Sequence, residues 1–420
     1  MSHSHDIHTA PPTRPRRVVV AGGGIASMEL LLALRHLAGN ELDVTVIAPD
    51  RRFVVRALRV AEPFAAGHSD VGELAALIRE QGATLLPTTV ASVDADTREV
   101  TCADGRVVPY DRLVLAPGAR VRAPFSQAVT FGLGDPLALN GILADLEQGY
   151  TDTVAFVVPE GVVWSLPLYE LALLTADQVR SMGREVSLLF YTPEPGALAV
   201  FGPEAGAAVA ELFGRAGIEL HTGSPVAVAK RQVQLLDSAE IVPAERIVTL
   251  PILEGPRLLG VPADTGGFIP VDSYGRVLGL EAVYAVGDAT DIAIKQGGIA
   301  CQQADVVAAG IAHDAGAEVD VEPLRPVLRG RLLTGAVDRF VRRDLQGPHG
   351  TQSQEPLWWP PMKVVGRHLG PWLAARRVMP VDQTTAPAPG EGLSVEAPIG
   401  PLRNRSASVL GLDPFGPMRD

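Results

Sequence analysis

The run Arg16-Arg-Val-Val-Val-Ala21 goes straight into Gly22-Gly23-Gly24, and no other feature limits the fold as much. A short, β-branched, apolar run is what a strand buried on both faces needs, and three glycines after it break the chain into a tight turn. Beyond the turn, residues 25–37 carry Met28, Leu31, Leu32 and Leu34 at helical spacing with Arg35 and His36 on other faces, and the pattern ends near Gly39-Asn40. Val44-Thr-Val-Ile47 supplies the next strand. Strand, glycine turn, helix and strand make a βαβ unit whose helix, opening at Ile25 and Ala26, aims unpaired backbone N–H groups at a pyrophosphate. The glycines read Gly22-x-Gly24-x-x-Ser27, with the small Ser where Gly or Ala normally allows close helix packing. The acid expected to hold a ribose at the end of the second strand is displaced: Ala48 stands there, and Asp50 is the substitute.

A second copy opens at Thr153-Val-Ala-Phe-Val-Val158, continues as a helix over 166–180 and returns as Val186-Ser-Leu-Leu-Phe190. Its turn, Pro159-Glu160-Gly161-Val162-Val163-Trp164, offers one glycine, and Glu160 repels a pyrophosphate. Whether this unit takes NAD(P)H or serves packing and substrate access is therefore open at this point. Between the copies, residues 90–114 have short alternating strands with turns at Asp94-Ala-Asp96 and Ala103-Asp-Gly105, a small antiparallel excursion starting at Val90. Later, Gly267-Phe-Ile-Pro-Val271 and Val283-Tyr-Ala-Val286 read as strands, the latter ending in Gly287-Asp288, so the first domain is interrupted and resumed.

At 420 residues the chain has room for two or three domains. Its 36 Lys and Arg against 48 Asp and Glu give a net charge of −12, which argues against nucleic acid as a partner, because phosphate neutralisation needs a basic surface. The only cysteines are Cys102 and Cys301, with no CxxC pair, so neither a thiol-rich metal site nor a local redox disulfide is expected, and no metal site is assigned. Residues 1–15 read as a loose leader without an export signal, and no apolar run is long enough to span a membrane. A cytoplasmic protein, or one at the inner face of the membrane, is expected.

Three ordered landmarks, Gly22-x-Gly24, Leu115-Ala-Pro-Gly118-Ala and Val283-Tyr-Ala-Val-Gly287-Asp288-Ala289, resemble the FAD-dependent pyridine nucleotide-disulfide oxidoreductase superfamily. Within it they look like the branch of type II NADH dehydrogenases, sulfide:quinone oxidoreductases and flavocytochrome c sulfide dehydrogenases, over residues 16–335. The resemblance implies an α/β fold of two Rossmann-like, three-layer ββα dinucleotide-binding domains, the second inserted in the first, with a C-terminal interface region. The expected divisions are an FAD-binding domain over 16–150 and 266–318, a second Rossmann-like domain over 151–265, an interface or membrane-associating region over 319–380, and a disordered tail over 381–420.

The resemblance assigns the FAD pyrophosphate to Gly22, Gly23, Gly24, Ile25 and Ala26, and the ribityl chain to Asp288 after Gly287. Asp50, Val90, Ala116, Pro117 and Gly118 complete the cofactor set. Asp288 is also expected from its place at the C-terminal end of a strand, where doubly wound sheets put ligands. Lys295-Gln296-Gly297-Gly298 leads into a helix over 299–311, whose positive end would face the flavin pyrimidine edge and ease reduction. Ala300-Cys301-Gln302-Gln303 looks like the second half of a quinone-site motif, which places Ala300, Gln302 and Gln303 on the acceptor side; its first half is replaced by Gly297-Gly298.

Trp164 stands where sulfide:quinone oxidoreductases carry a redox cysteine, beside the acceptor side in the same expectation. Glu170 is a candidate for proton handling and Lys295 for flavin tuning, each equally readable as a surface ion-pair partner, and Cys301 for thiol chemistry, though a free Cys on an apolar helix reads more readily as a small buried hydrophobe. At the C-terminal end, residues 324–335 read as a hairpin. Residues 362–377 read as a helix with an apolar face of Val364, Val365, Leu369, Trp372 and Leu373 and a basic one, suited to lying on a membrane surface or docking on its own domain or a dimer partner. The expected activity is electron transfer from a small-molecule donor through FAD to a quinone-like acceptor, without the usual redox cysteine pair. Direct oxidation of NAD(P)H is the alternative, and a catalytically silent flavin-binding regulator is the alternative of another class. A homodimer and peripheral membrane contact are both compatible with the sequence.

Overall fold

Val18, Val19, Val20 and Ala21 are each no more than 2% exposed, because the strand they form lies mid-sheet. In the computed structural model, which describes residues 15–134, 137–345 and 350–379, strand Arg16–Ala21 is the centre of five parallel strands. The order is Val283–Ala285, Arg112–Leu115, Arg16–Ala21, Leu42–Ile47, Thr84–Leu86. The chain leaves this sheet after Leu115 and rejoins its edge only at Val283, so the resumption seen in the sequence is real. Strand order reverses on either side of Arg16–Ala21, the kind of switch point beside which doubly wound sheets place a ligand.

Seven helices are described: α1 (Ile25–Ala38), α2 (Leu74–Glu80), α3 (Ala138–Gln148), α4 (Leu166–Ser181), α5 (Pro203–Ala216), α6 (Gly297–Asp314) and α7 (Leu369–Ala375). α1 and α6 pack together on one face of the first sheet, with Leu30, Ala33 and Leu34 in the same buried cluster as Ala304, Val307 and Ile311. The small residues of both helices allow that close approach.

A second five-stranded parallel sheet runs Val129–Thr130, Arg246–Thr249, Thr153–Val157, Ser187–Tyr191, Ile218–His221. α4 and α5 cover it, burying Tyr169, Phe190 and Phe213 as a mutually packed aromatic group. The excursion appears as the antiparallel strands Val90–Asp94, Glu99–Cys102 and Val107–Pro109. The fold is thus the α/β class with two Rossmann-like units, one set within the other.

Two expectations need correction. Residues 267–271 form no strand; Ile269 and Val271 make only isolated bridges, to Thr290 and Val277, because the turns at Asp264 and Asp272 leave no straight run. Residues 362–377 form no single helix either. Only Leu369–Ala375 is helical, and Val364, Val365, Leu369 and Leu373 are all buried against the chain itself, where their apolar stripe finds its cover.

The hairpin expected over 324–335 is one arm, strand Val327–Leu332, which pairs antiparallel with Arg339–Asp344, itself paired with Gly350–Ser353. Among the described residues no helix is long and apolar enough to cross a membrane. The tail assigned to 381–420, and the leader up to residue 14, lie outside the described residues.

Candidate active site

The first glycine loop meets Ala116 at the C-terminal ends of the central strands. Gly22 N donates to Ile47 O at 2.8 Å and Ala116 N donates to Ala21 O at 2.7 Å, closing the sheet just beneath the loop. Gly22 has a φ of +127°, and a Cβ there would run into the Ala116 carbonyl, so only glycine fits. At Gly24 a Cβ would meet nothing within 4 Å, and Gly24 opens α1 without a side-chain cap. The first N–H groups of α1, from Ile25 and Ala26, are therefore not taken up by a capping side chain, and an anion such as a pyrophosphate suits them. Gly118, at φ +74°, also borders open space on the other rim, next to the exposed Pro117. This cradle fits the dinucleotide expected of it. Asp50 is exposed just past strand Leu42–Ile47, and Val90 opens the excursion half-buried.

Gly287, at φ +75°, turns the chain after strand Val283–Ala285 and places Asp288 at the C-terminal end of that edge strand. Burial raises the Asp288 carboxyl above its usual range, while Lys295 and Arg56 oppose that rise. The Lys295 ammonium donates to the Thr290 carbonyl and lies 3.8 Å from the Phe268 ring centre. Burial brings its pKa down to about 8 against the pull of Asp288, Asp291 and Asp264. Gln296 caps α6: its Oε1 accepts from Ile299 N at 2.8 Å and its Nε2 donates to Arg329 O at 3.0 Å. Gly297 and Gly298 leave room for Val364 and Val365 to close over the start of α6.

Two of the acceptor-side residues spend their side chains on backbone groups of the protein. Gln303 Oε1 accepts from Gly287 N at 2.8 Å and from Thr290 Oγ1 at 3.3 Å, so this side chain holds the Gly287 turn from behind. Gln302 is spent on strand Val327–Leu332, donating to Val327 O at 3.0 Å and accepting from Val327 N at 2.8 Å. Ala300 is buried with its methyl group near Gly287. Trp164 packs half-buried on Phe201, ring centres 5.9 Å apart, beside the N-terminal end of α4.

Cys301 is the small buried side chain of its favoured reading and not a reactive thiol. It is fully buried, and burial with the nearby Glu29 and Asp305 charges pushes its pKa well up, so the thiolate that thiol chemistry requires is suppressed. Cys102 is buried in a different core cluster, and both cysteines are free.

Glu170 is fully buried in the first turns of α4, and it forms an ion pair with Lys363, itself 7% exposed. Glu170 Oε1 also accepts from Leu333 N at 3.1 Å, while Oε2 has no partner. Burial raises the carboxyl and lowers the ammonium, and their mutual attraction opposes both. Arg56 escaped the sequence reading, and Lys363 entered it only on the basic face of residues 362–377, because no local pattern marks its pairing with Glu170.

Residues 16–157 and 170–304 match the pyridine nucleotide-disulphide oxidoreductase family, and the chain belongs to it. It is an FAD-dependent oxidoreductase. An NADH dehydrogenase-like protein of Mycobacterium tuberculosis is 28% identical over 292 residues, 65% of this chain and 72% of that one. Among solved structures, the sulfide:quinone oxidoreductase of Aquifex aeolicus aligns with a TM-score of 0.74 at 22% identity, covering 80% of this chain and 86% of that one. NDH2 of Plasmodium falciparum, solved with NADH, aligns at 0.62 and 14% identity, over 81% and 92%. Both likenesses carry the fold.

Proposed function

We propose that this protein oxidises a small-molecule donor at FAD and reduces a quinone-type acceptor, without a protein disulfide in the electron path. The observation that carries this reading is the Glu170–Lys363 pair, a buried carboxylate with one oxygen unpartnered, set between α4 and the segment that closes over the start of α6. Reduction of a quinone consumes protons as well as electrons, and the Glu170–Lys363 pair, with Oε2 unpartnered, supplies a group that can take up a proton and pass it on.

When bound, FAD supplies hydride and one-electron chemistry. The chain's own residues do the remainder. The Gly22–Gly24 loop and the start of α1 hold the pyrophosphate; Asp288 takes the ribityl chain; Asp50 and the Ala116-Pro117-Gly118 rim border the rest of the cofactor. Lys295 and the N-terminal end of α6 place positive charge at the pyrimidine edge. Val364 and Val365 exclude water from that end of α6. Trp164 lines the acceptor side near Glu170 in this reading.

Direct reduction by NADH is the second reading. It has the second Rossmann-like sheet in its favour and against it Glu194, whose carboxylate accepts from Tyr169 and Thr192 and is not left open to a ribose hydroxyl. Anaerobic mixing with NADH, NADPH and sulfide, followed by a short-chain quinone, tests both. Flavin bleaching by a donor and its return on adding quinone supports the proposal, with NADH as that donor for the second reading. Bleaching with no return under any quinone overturns the acceptor assignment.

A further inference from the structure

The C-terminal sheet carries a charge opposite to that of the chain as a whole. Residues 325–344 hold six arginines against two aspartates, in a protein whose net charge is −12. Strand Val327–Leu332 pairs antiparallel with Arg339–Asp344, and the register sets Arg329 opposite Arg342 and Arg331 opposite Phe340. Opposite residues share a face with Cβ atoms roughly 5 Å apart, so these four side chains stand on one side of the sheet. The Arg331 guanidinium accordingly lies 5.7 Å from the Phe340 ring centre. The other side is already filled: a Cβ on Gly330 would meet Leu166, Phe201 and Val341.

Like charges directly opposite one another destabilise a sheet unless something neutralises them. The acids of this sheet are otherwise engaged. Asp338 Oδ2 accepts from Arg331 Nε at 2.7 Å, and the same guanidinium donates to Pro361 O at 2.8 Å. Asp344 attracts Arg329, but it stands opposite Val327, two residues along from Arg342. Arg343 turns to the other face and donates to Val200 O at 2.8 Å. Among the described residues no carboxylate forms an ion pair with Arg329 or Arg342.

Arg329 is 3% exposed, and its Nη1 has no hydrogen-bond partner. Burial and the Arg342 charge lower its pKa to about 10, which leaves it cationic at neutral pH. A guanidinium taken out of water without an anion is among the costliest groups a protein can bury. Arg342 is half-buried, and Thr351, its partner in strand Gly350–Ser353, is exposed, so these two side chains form the solvent edge of the site. Two guanidinium forks with a hydroxyl beside them match the several oxygens of a tetrahedral oxyanion, where a single carboxylate would satisfy one fork.

We propose that Arg329 and Arg342, with Thr351 at the rim, form a binding site for a phosphate group, carried by a soluble phosphate or by a lipid headgroup. The site uses no side chain assigned above to FAD, the donor or the acceptor, and it stands independently of the proposed function.

The test compares the full chain with FAD bound against Arg342→Ala and Arg329→Met. Thermal unfolding is followed while sodium phosphate replaces sodium chloride at fixed ionic strength, so that screening is constant. The wild-type midpoint is expected to rise saturably with phosphate, as binding to the folded state requires. R342A should need at least about tenfold more phosphate for the same rise. R329M, which removes a buried unpaired charge, should be no less stable than the wild type in chloride and should show no phosphate-dependent rise. FAD content is expected to be equal in all three. A second arm measures flotation with phosphatidylcholine vesicles containing or lacking phosphatidylglycerol. A phosphate-dependent rise without vesicle binding assigns the site to a soluble phosphate; vesicle binding that R342A weakens about tenfold assigns it to a headgroup. The inference is overturned if the wild type responds to neither probe, or if both variants respond as the wild type does.

Discussion

The two parallel sheets present the same edge to a dinucleotide and treat it differently. Gly22 N donates to Ile47 O in the first, and Val158 N donates to Tyr191 O in the second, so these residues occupy equivalent places. After Gly22 the chain enters α1 at Ile25; after Val158 it wanders through Pro159, Glu160 and Gly161 and enters α4 only at Leu166. The acid that follows the neighbouring strand differs in the same sense. Asp50 is exposed, whereas Glu194 is turned inward, accepting from the Tyr169 hydroxyl and from Thr192 Oγ1, each at 2.9 Å, and is raised by burial. One topology can thus be kept open for a cofactor in one copy and drawn shut by its own side chains in the other. Glycine at the loop and a free acid at the strand end decide which.

The sharpest way to break this contrast is to add one methyl group to each loop. Gly22→Ala meets the Ala116 carbonyl at a φ alanine avoids, and is expected to lose FAD on purification and about 4 kcal/mol or more of stability, read from visible absorbance and denaturant unfolding. Next in size, Lys363→Met leaves Glu170 charged and buried without its partner, at a cost of about 3–5 kcal/mol; adding Glu170→Gln is expected to restore most of that loss. If the double variant is no more stable than the single one, the pair is not coupled.

Tyr169→Phe removes one donor from Glu194 and should cost about 1–3 kcal/mol in unfolding experiments with FAD content unchanged. A drop in bound flavin would show that the second unit supports the first cofactor site. Gly161→Ala is the smallest: it sits at φ +80° with nothing within 4 Å of a Cβ, and about 1 kcal/mol of stability with no change in flavin content is expected.

A pH titration of the bound flavin's midpoint potential sharpens the open side of the comparison. Lys295, with its pKa lowered to about 8, is charged below that pH and neutral above it. The potential should therefore gain an extra fall with pH beginning near that value, and Lys295→Met should remove the inflection. An unchanged curve in the variant separates Lys295 from the flavin.

Much of this contrast could be read from the sequence, because the features that carry it are local. The Gly22–Gly24 turn follows its strand directly, and Val283 to Asp288 repeats the same strand-then-glycine grammar. The single glycine beside Glu160 already marked the second loop as different. What escaped is held by contacts between distant residues. Lys363 is 193 positions from Glu170, and Leu369 is 340 from Glu29, and no periodicity joins them.

The glutamines of α6 show the same limit of local patterns. Their spacing resembles a ligand motif, yet both side chains satisfy backbone groups brought in by other elements, Gly287 for Gln303 and Val327 for Gln302. The amphipathic pattern over 362–377 was read correctly as needing cover. Its cover is α1, α6 and the C-terminal sheet, which periodicity cannot name.

The most direct measurement is FAD content of the purified, reconstituted wild-type chain beside Gly22→Ala and Gly161→Ala. The account predicts stoichiometric FAD, with its visible absorption, in the wild type and in G161A, and none in G22A. Loss of FAD from G161A with retention in G22A, or a wild type that takes up no flavin, would contradict it.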